Sequence, residues 1–381
     1  MKTINKVIET GKCTGCAACA NICPRKSIEM MQDMEGFYYP KISSNCVKCG
    51  LCLQVCPVSQ PSFKEIDNNK SYAYYSEENS NAGRSSSSGV FEAIARYVIN
   101  KKGVVCGAAF DTQWNVRHIL VDNVDDLKLL CTSKYVQSYI EEDLYKRICK
   151  NLKERIVLFA GTPCQVAAIN SFVKDRTNLI TVDLVCHGVP SPKVWNSYLN
   201  NISCGKNILD VNFRDKSHKE YYGLKVVFKD SEYYESVTQS AYLQGYINNL
   251  YIRNSCTSCN FKGKHHVADI TLGDLWHAEK INVLFRDKHN ISWVIVNTDV
   301  GAIVAKEIKN DFLVVEIDMQ KEISFNQSYS NSSRHHKNRT RFFELYEQEE
   351  GELSSLINKY IKICFIERAF KKVKRLIQQK F

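Results

Sequence analysis

Apolar and polar residues follow two different patterns along the 381-residue chain. Between residues 28 and 42, two short apolar stretches flank a Glu-Gly pair, which predicts two strands joined by a tight turn. From residue 67 to about 340, β-type apolar runs such as 179–186 alternate with amphipathic helical patterns such as 89–103. Strands interleaved with helices predict an α/β or α+β body that follows a smaller N-terminal module.

A polar, proline-bearing segment at residues 57–71 separates these two parts. Clusters of proline, serine and asparagine are typical of connections between elements, so we expect a linker here and the end of the first domain near residue 66. From about residue 341 the pattern is helical and leads into a basic tail.

The N-terminal module contains a cysteine motif, C-x2-C-x2-C-x3-C-P, that occurs twice. Its members are Cys13, Cys16, Cys19 and Cys23 in the first run, and Cys46, Cys49, Cys52 and Cys56 in the second. In two-cluster ferredoxins the fourth cysteine of each run ligates the other cluster. The motif therefore predicts two 4Fe–4S clusters, one held by Cys13, Cys16, Cys19 and Cys56 and the other by Cys46, Cys49, Cys52 and Cys23. A zinc knuckle also uses C-x2-C pairs, but the third cysteine and the repeat favour iron–sulfur.

Cysteine content and charge narrow the class of protein. The chain has 17 cysteines, no apolar run long enough to span a membrane and no recognisable signal peptide. These features predict a reduced, cytoplasmic, metal-binding protein rather than one stapled by disulfides. The formal net charge of +10 counts no thiolates, and three clusters at about −2 each would lower it to roughly +4. The basic balance therefore does not require a nucleic-acid partner.

Two further cysteines follow apolar strands of the body. Cys164 lies just inside a predicted helix that starts at Thr162 and Pro163, residues favoured at those positions. Cys186 ends another such strand, and His187 follows it. Ligands gather beyond the carboxyl ends of strands in open α/β sheets. Cys164 could be a buried structural residue, a reactive thiolate or a cluster ligand, and His187 is a candidate proton donor.

A late C-x2-C pair, Cys256 and Cys259, could be half of a zinc site. With Cys164 and Cys186 it supplies four thiols, the number that a third 4Fe–4S cluster requires. His265 and His266 are adjacent and are expected to be solvated loop residues. The remaining cysteines are expected to be structural: Cys106, Cys131, Cys149, Cys204 and Cys364.

Two polar segments could contact an anionic cofactor. A serine segment opens a predicted helix and offers hydroxyls, backbone N–H groups and the helix dipole to a phosphate; it comprises Arg84, Ser85, Ser86, Ser87, Ser88 and Gly89. A flexible serine linker is the alternative interpretation. Residues 132–140 form the second segment, in which the candidates for contact with a flavin or its phosphates are Lys134, Tyr135, Gln137 and Ser138.

These motifs resemble two known families. The cysteine runs resemble a bacterial-type ferredoxin domain, and the body resembles the coenzyme F420 hydrogenase/dehydrogenase beta-subunit family. The second resemblance is carried by the serine segment and by SKYVQSYI at 133–140, GTPCQ at 161–165, CHGVPSP at 186–192, FRDKS at 213–217 and the segment 256–276. It implies a flavin-dependent oxidoreductase that binds FAD and a 4Fe–4S cluster in its body and passes electrons between them.

The resemblance also implies an architecture of the α+β class. We expect a two-cluster ferredoxin domain at 1–66, a mixed α/β flavin-binding body in two parts at 67–160 and 161–340, and a helical basic tail at 341–381. The serine segment and residues 134–138 become the FAD-binding candidates, and Cys164, Cys186, Cys256 and Cys259 become the candidate ligands of the inner cluster.

Two functions remain open from the sequence. The chain could be an enzyme that uses its own FAD to reduce or oxidise an unidentified small molecule or a deazaflavin-like coenzyme. It could instead be a non-catalytic iron–sulfur subunit of a larger redox complex. The large body favours the enzyme, because a subunit that only transfers electrons needs no more than the ferredoxin domain. Either function implies a redox partner protein or a reduced ferredoxin-type donor.

The basic tail adds one expectation about location. Residues 368–381 contain six Lys or Arg and no acidic residue, with apolar residues at helical spacing. Such a helix can lie on an anionic membrane, dock a partner or pack on its own protein. The expected location is cytoplasmic, with peripheral contact at the inner face of the membrane as an alternative.

Overall fold

The computed structural model describes residues 3–61, 70–78, 85–217, 222–286, 288–348 and 353–361. The strands in these ranges are β1 Ile28–Gln32, β2 Tyr38–Ile42, β3 Lys70–Tyr75, β4 Val104–Phe110, β5 Val116–Val121, β6 Val157–Gly161, β7 Leu179–Leu184, β8 Ile208–Asp215, β9 Gly223–Phe228, β10 Glu232–Ser236, β11 Ile270–Asp274, β12 Ser292–Val296 and β13 Leu313–Glu316. The α-helices are Asn5–Glu9, Ala18–Ile22, Leu51–Gln54, Val90–Asn100, Val124–Leu127, Leu144–Asn151, Pro163–Phe172, Pro192–Ser203, Ala241–Ile247, Ala278–Ile281, Asp299–Ile308, Met319–Phe325 and Arg339–Gln348. Residues 353–361 are also helical.

The centre of the body is an eight-stranded sheet in the order β13-β3-β12-β11-β7-β6-β4-β5. Strands β11, β7, β6 and β4 are parallel, and the flanking strands are antiparallel to their neighbours. Parallel strands are covered on both faces, which explains why β6 is a continuous apolar run and why β7 is buried from Leu179 to Asp183. Their carboxyl ends lie at the same edge of the sheet, so the segments that carry Cys164 and Cys186 leave the sheet side by side.

The helix that carries Cys164 begins as the sequence predicts. Thr162 precedes the helix Pro163–Phe172 in an extended conformation, and a proline occupies the first helical position. The side chain of Gln165 accepts a hydrogen bond from the Thr162 N–H at 2.9 Å, which satisfies a donor that the helix leaves free. Ser191 caps the helix Pro192–Ser203 through its hydroxyl, which accepts from the Val194 N–H.

A second, three-stranded antiparallel sheet, β10-β9-β8, packs separately from the central one. It shares an aromatic core with the helix Pro192–Ser203 and the C-terminal helices; buried members include Trp195, Phe213, Tyr242 and Phe342. Residues 362–381, with Cys364 and the basic tail, lie outside the described residues. In the described ranges, no helix has both the length and the apolar character needed to cross a membrane.

The ferredoxin-type module consists of the predicted β1–β2 hairpin and the short helices Ala18–Ile22 and Leu51–Gln54, which pack together. It does not have a core of its own. Val7 and Ala18 of the module belong to the same buried apolar cluster as Tyr145 and Ile169 of the body. The described parts of the module and the body are therefore joined by continuous packing.

Candidate functional site

The first predicted cluster set surrounds one small cavity. Cys13, Cys16, Cys19 and Cys56 line it together with apolar residues such as Ile4. Burial, together with the neighbouring thiols of Cys56 and Cys13, raises the pKa of the Cys16 thiol to about 12. Thiols so difficult to ionise are poor isolated nucleophiles, but a bound metal centre supplies the positive charge that stabilises their thiolates.

The second predicted set lies at the outer side of the module. Burial raises the pKa of Cys52, and the Cys46 thiol adds to that effect. Cys23 directly follows the helix Ala18–Ile22, and the helix that contains Cys52 packs against it. Cys49 lies just before that second helix and is exposed. The charge interaction between Cys19 and Cys52 places the two sets close to each other.

Backbone N–H groups are directed at the sulfurs of all three predicted sets. The Ser27 N–H donates to the Cys23 sulfur at 3.3 Å, and the Phe261 N–H donates to the Cys259 sulfur at 3.4 Å. Further donors act on other sulfurs, namely Ala18 on Cys16, Ile4 on Cys52, Val58 and Ser59 on Cys56, Gly188 on Cys186, and Val189 on Cys256. Hydrogen bonds to cysteinyl sulfur stabilise thiolate charge and help set the potential of an iron–sulfur centre, so these donors fit such groups.

The third set comes together from three distant parts of the chain. Cys164 is in the first turn of its helix, Cys186 follows β7, and Cys256 and Cys259 lie in and just after the short 3-10 helix Asn254–Ser258. Burial raises the pKa of Cys164, and the other three thiols all contribute. Burial likewise raises the pKa of Cys256 to about 12, with Cys186 as the next cause. The four thiols that the sequence combined as one set are therefore neighbours.

Among the residues that the structure describes, no group of three or more His, Cys, Asp or Glu side chains is close enough to hold one metal ion. In a structural zinc site each sulfur lies about 2.3 Å from the metal. A cluster of four irons and four sulfides needs more room between its ligands.

His187 lies beside the third set. Its ring contacts Tyr246 edge-on, with 5.2 Å between ring centroids, and its Nε2 is buried with no hydrogen-bond partner in the described part of the chain. Burial lowers the pKa of His187. The ring is therefore neutral at pH 7 and holds one proton.

The serine segment is folded against the same edge of the central sheet. The hydroxyls of Ser87 and Ser88 donate to the Asn290 carbonyl at 2.9 and 2.6 Å, just before β12. The Ser133 N–H donates to the Ser86 hydroxyl at 2.7 Å, which joins the segment to residues 132–140. Gly89 has φ +85° and precedes the helix Val90–Asn100. The alternative of an unstructured linker is therefore wrong for residues 85–89, and Arg84 lies outside the described residues.

A group of cations surrounds this segment. The Lys216 amine donates to the Ser87 carbonyl at 3.3 Å, and Arg214 forms an ion pair with Asp274 at the end of β11. Burial lowers the pKa of Lys134 to about 8, and burial together with Arg214 lowers the pKa of Lys216 to about 8. Arg214 and Lys216 come from the FRDKS motif, which by its sequence alone carries no signal for a ligand role. The surplus of buried positive charge and the hydroxyl-rich loop fit a phosphate-bearing cofactor.

The candidates of residues 132–140 separate into two groups. Tyr135 lies near the cation group, because its ring contacts Phe213 with 5.6 Å between centroids and Phe213 directly precedes Arg214. Ser138 instead lies 2.6 Å from Nδ1 of His118. Gln137 is buried, and its side-chain oxygen accepts the Tyr38 N–H at 3.1 Å.

Arg253 connects the first and third cysteine sets, although it belongs to no motif in the sequence. Its Nε donates to the Cys13 carbonyl at 2.9 Å, and its guanidinium lies 3.9 Å from the centroid of the Tyr39 ring. It also lies 3.4 Å from the Gln137 side-chain oxygen. Only two residues separate it from Cys256 along the chain. The sequence around Arg253 does not indicate this role, because the partners of its side chain come from remote segments of the chain.

The prediction for the histidine pair was half wrong. His265 is exposed, but His266 is only 2% exposed. Its Nδ1 lies 2.8 Å from the Asp183 carboxylate, and its ring stacks on Tyr329 at 5.0 Å. His266 is buried because β7 places an acidic residue inside the core, where it needs a polar partner.

Comparison with known proteins supports two parts of this picture. Residues 154–321 match the family described as the C terminus of the coenzyme F420 hydrogenase/dehydrogenase beta subunit, and residues 12–60 match the 4Fe-4S dicluster domain. The body of the chain is thus similar to the C-terminal part of that beta-subunit family, and its N-terminal part carries a dicluster ferredoxin domain. The resemblance seen in the sequence is confirmed.

The curated proteins to which this chain is similar are named as redox proteins. This chain is 27% identical over 169 residues to the coenzyme F420-dependent sulfite reductase of Methanocaldococcus jannaschii, which covers 43% of this chain and 25% of that protein. The chain thus spans about a quarter of the length of that relative. It is also 30% identical over 71 residues to an uncharacterized ferredoxin of the same organism, covering 17% of this chain and 92% of the ferredoxin.

Among solved structures, a chain of the F420-reducing NiFe hydrogenase complex from Methanosarcina barkeri is similar, with a TM-score of 0.47 and 16% identity. The alignment covers 70% of this chain and 92% of that chain. Together, the two family matches establish an iron–sulfur protein of an oxidoreductase family, related to a coenzyme F420-dependent sulfite reductase.

Proposed function

We propose that the chain is an iron–sulfur flavoprotein oxidoreductase that relays electrons between ferredoxin-type clusters and FAD. Its substrate would be a small molecule or a deazaflavin-like coenzyme. The observation that carries the proposal is the adjacency of three cysteine sets, since the first adjoins the second and is joined to the third through Arg253. A structural metal protein has no need for three such centres in series.

The twelve cysteines of these sets would hold three 4Fe–4S clusters. The first two sets lie within the residues that match the dicluster domain. The third cluster would use Cys164, Cys186, Cys256 and Cys259. Lys262 supports this third centre, because its amine donates to the backbone carbonyls of Cys186 and Ser328, the latter at 2.8 Å. Its positive charge would offset part of the negative charge of a cluster with four thiolates.

FAD would be held at the carboxyl edge of the central sheet. The serine segment, Lys134, Lys216 and Arg214 would bind its phosphates, because they combine hydroxyl donors with buried cations. Tyr135 would pack beside it. When bound, FAD supplies the conversion between two-electron and one-electron chemistry that single-electron clusters lack.

His187 is the proposed proton donor. Its neutral ring carries one proton, lies beside Cys186 and has a buried nitrogen without a partner among the described residues. The second substrate would be a deazaflavin, because the matched relative is named as F420-dependent. The direction of electron flow depends on which partner is the stronger reductant.

Anaerobic purification tests the proposal. We expect about twelve irons per chain and a flavin spectrum, since each of three cubane clusters contributes four irons. About eight irons without flavin would instead support the second candidate, a non-catalytic electron-transfer subunit. Zinc in place of iron would contradict both. The Cys204→Ser chain is a matched control, because Cys204 is an exposed cysteine outside all three sets.

A further inference from the structure

The two cysteine sets of the ferredoxin module differ in exposure. In the first set, Cys13, Cys19 and Cys56 are buried. In the second set, Cys52 is buried, Cys23 and Cys46 are half-buried and Cys49 is exposed, and nearby Val47 is 59% exposed. The second set is therefore open to solvent on the side of Cys49, while the first set packs against the body of the protein.

Cations surround the exposed set. Arg25, Lys26, Lys41 and Lys48 are all exposed, and we call these four residues the basic rim. Segments 24–26 and 41–51 contain no acidic residue, and the nearest carboxylate in strand register is Glu29, opposite Lys41. Within the described ranges, none of the four cations forms an ion pair with a carboxylate.

The basic rim is continuous in space. The Ser43 N–H donates to the Ser27 carbonyl at 2.9 Å, which joins the segment of Arg25 and Lys26 to the segment of Lys41. The Cys46 N–H donates in turn to the Ser43 carbonyl at 3.3 Å, which holds the second cysteine set against the same segment. The cations, the exposed cysteine and Val47 thus belong to one face of the module.

We propose that this face is the docking surface for a small acidic electron-carrier protein. The inference rests on the proposed function, because it takes the second cysteine set to hold a redox centre. The step is the transfer of one electron, in which the reduced carrier is oxidised and this chain is reduced; no bond forms or breaks and no proton moves. The electron would then pass inward, towards the set next to Arg253.

Charge and exposure favour a protein carrier at this face. Unpaired cations around a redox centre attract an oppositely charged partner over long range and raise the association rate. An apolar residue inside a polar rim is the usual anatomy of a protein interface. A single exposed apolar residue among cations suits a transient electron-transfer encounter, because permanent interfaces are more apolar.

The experiment compares two charge-reversal pairs on the holoprotein. Lys26→Glu/Lys41→Glu changes the basic rim, and Lys306→Glu/Lys309→Glu is the matched control, since both of its lysines are exposed on the body. The probe is a dithionite-reduced acidic 4Fe–4S ferredoxin, and stopped-flow absorbance gives the second-order rate of electron transfer. Iron content and cluster EPR spectra are recorded for each variant. The Lys26→Gln/Lys41→Gln pair provides a milder, graded change if reversal impairs folding.

We expect reversal at the rim to lower the second-order rate about 10–100-fold at low ionic strength, with the control pair changed less than about twofold. Ionic strength near about 0.5 M should shrink the difference, because salt screens exposed charges. Equal rates for both pairs would overturn the proposal. The proposal would also be overturned if the basic rim bound anionic vesicles while charge reversal left the rate of electron transfer from ferredoxin unchanged. Loss of iron from the unmodified chain would instead refute the proposed function.

Discussion

The guanidinium of Arg253 donates a hydrogen bond to the backbone carbonyl of Cys13 at 2.9 Å, although the two residues lie 240 positions apart. Arg253 is 1% exposed and lies over the Tyr39 ring. Its own backbone N–H donates to the Val189 carbonyl at 2.9 Å, close to the third cysteine set. One side chain therefore fixes the spacing between the ferredoxin module and the body.

Replacement of Arg253 should loosen this junction. Arg253→Met leaves the Cys13 carbonyl without its donor, so we expect a loss of about 2–4 kcal/mol in the free energy of unfolding. It also removes a positive charge near the first set, which should lower the midpoint potential of that centre. Redox titration followed by EPR measures the potential. Arg253→Lys keeps the positive charge, so the midpoint potential should change less than in the Met variant. The free energy of unfolding should still fall, because lysine cannot reproduce the planar contact of the guanidinium with the Tyr39 ring. An unchanged potential in the Met variant would contradict the role of the charge.

Serine substitution of the third set should remove one cluster. Cys186→Ser or Cys256→Ser is expected to lower the iron content from about twelve to about eight per chain, since one cubane contributes four irons. Iron analysis and EPR of the reduced protein measure this loss. Cys204→Ser should keep the full content. If Cys186→Ser and Cys256→Ser also kept the full iron content, these two cysteines would not be cluster ligands.

The cation group predicts opposite effects on stability and on cofactor binding. Lys134 and Lys216 have folded pKa values near about 8, below the ordinary value of 10.5, so the unfolded chain binds more protons between these values. Stability of the cofactor-free chain should therefore rise as pH increases from about 8 to 10.5. Lys134→Met should stabilise that chain at pH 7 and weaken FAD binding about 10–100-fold, because it removes a charged donor.

Thermal unfolding across pH and flavin titration measure the two effects. Lys306→Met, at an exposed position, is the control and should change neither. A stabilised variant with normal FAD affinity would show that Lys134 does not contact the cofactor.

Glu322 is a buried carboxyl whose ionisation should oppose folding. It is 0% exposed and accepts the Trp276 N–H at 3.2 Å. Burial, opposed in part by that hydrogen bond, raises its pKa from 4.5 to about 8. The folded chain thus holds a proton that the unfolded chain releases, and this contribution to stability is lost as pH rises from 4.5 to about 8. Glu322→Gln keeps the shape and should stabilise the protein by a few kcal/mol at pH 8.

The measurement is the free energy of unfolding of both chains at several pH values. The advantage of the Gln variant should be absent near pH 4 and should level off above about pH 8. An advantage independent of pH would indicate a packing effect.

The hairpin turn at Glu35 and Gly36 should control docking of the module. Arg339 forms a bidentate ion pair with Glu35, in which Nη1 of Arg339 donates to Oε1 of Glu35 at 2.7 Å. Gly36 has φ +85°, and an added Cβ would lie 2.2 Å from the Cβ of Lys193. We expect Gly36→Ala to be the more damaging change, because the backbones cannot separate without undocking the hairpin. Glu35→Gln should cost about 1–3 kcal/mol, since the pair is partly exposed.

Hydrogen exchange of residues 28–42 reports this docking directly. Both variants should exchange faster there than the unmodified chain, with β6 and β7 unchanged. Normal protection of the hairpin in Gly36→Ala would show that the contact with Lys193 is dispensable.

Periodic and closely spaced features were predictable without the structure. The strand and helix that frame Cys164 and the β1–β2 hairpin are present as the pattern predicts. Each depends on residues within a few positions of one another. The grouping of Cys164 with Cys186 was also predictable, because parallel strands bring their carboxyl ends to one edge.

Contacts between distant segments were not predictable. The burial of His266 depends on Asp183, and the separation of Gln137 from Lys134 depends on contact with the ferredoxin module. A single sequence contains no pattern for such pairs, since nothing in the local spacing reflects them.

The sequence by itself determined the chemistry of this protein: the repeated cysteine spacing specifies iron–sulfur binding, and the body motifs specify the family. Local spacing suffices there because cluster loops are short and self-contained. Only the tertiary structure decided which cysteine set faces solvent, which faces the body and which residue joins them. These relationships come from packing between segments hundreds of residues apart, where burial and complementary contacts, rather than sequence neighbours, select the partners.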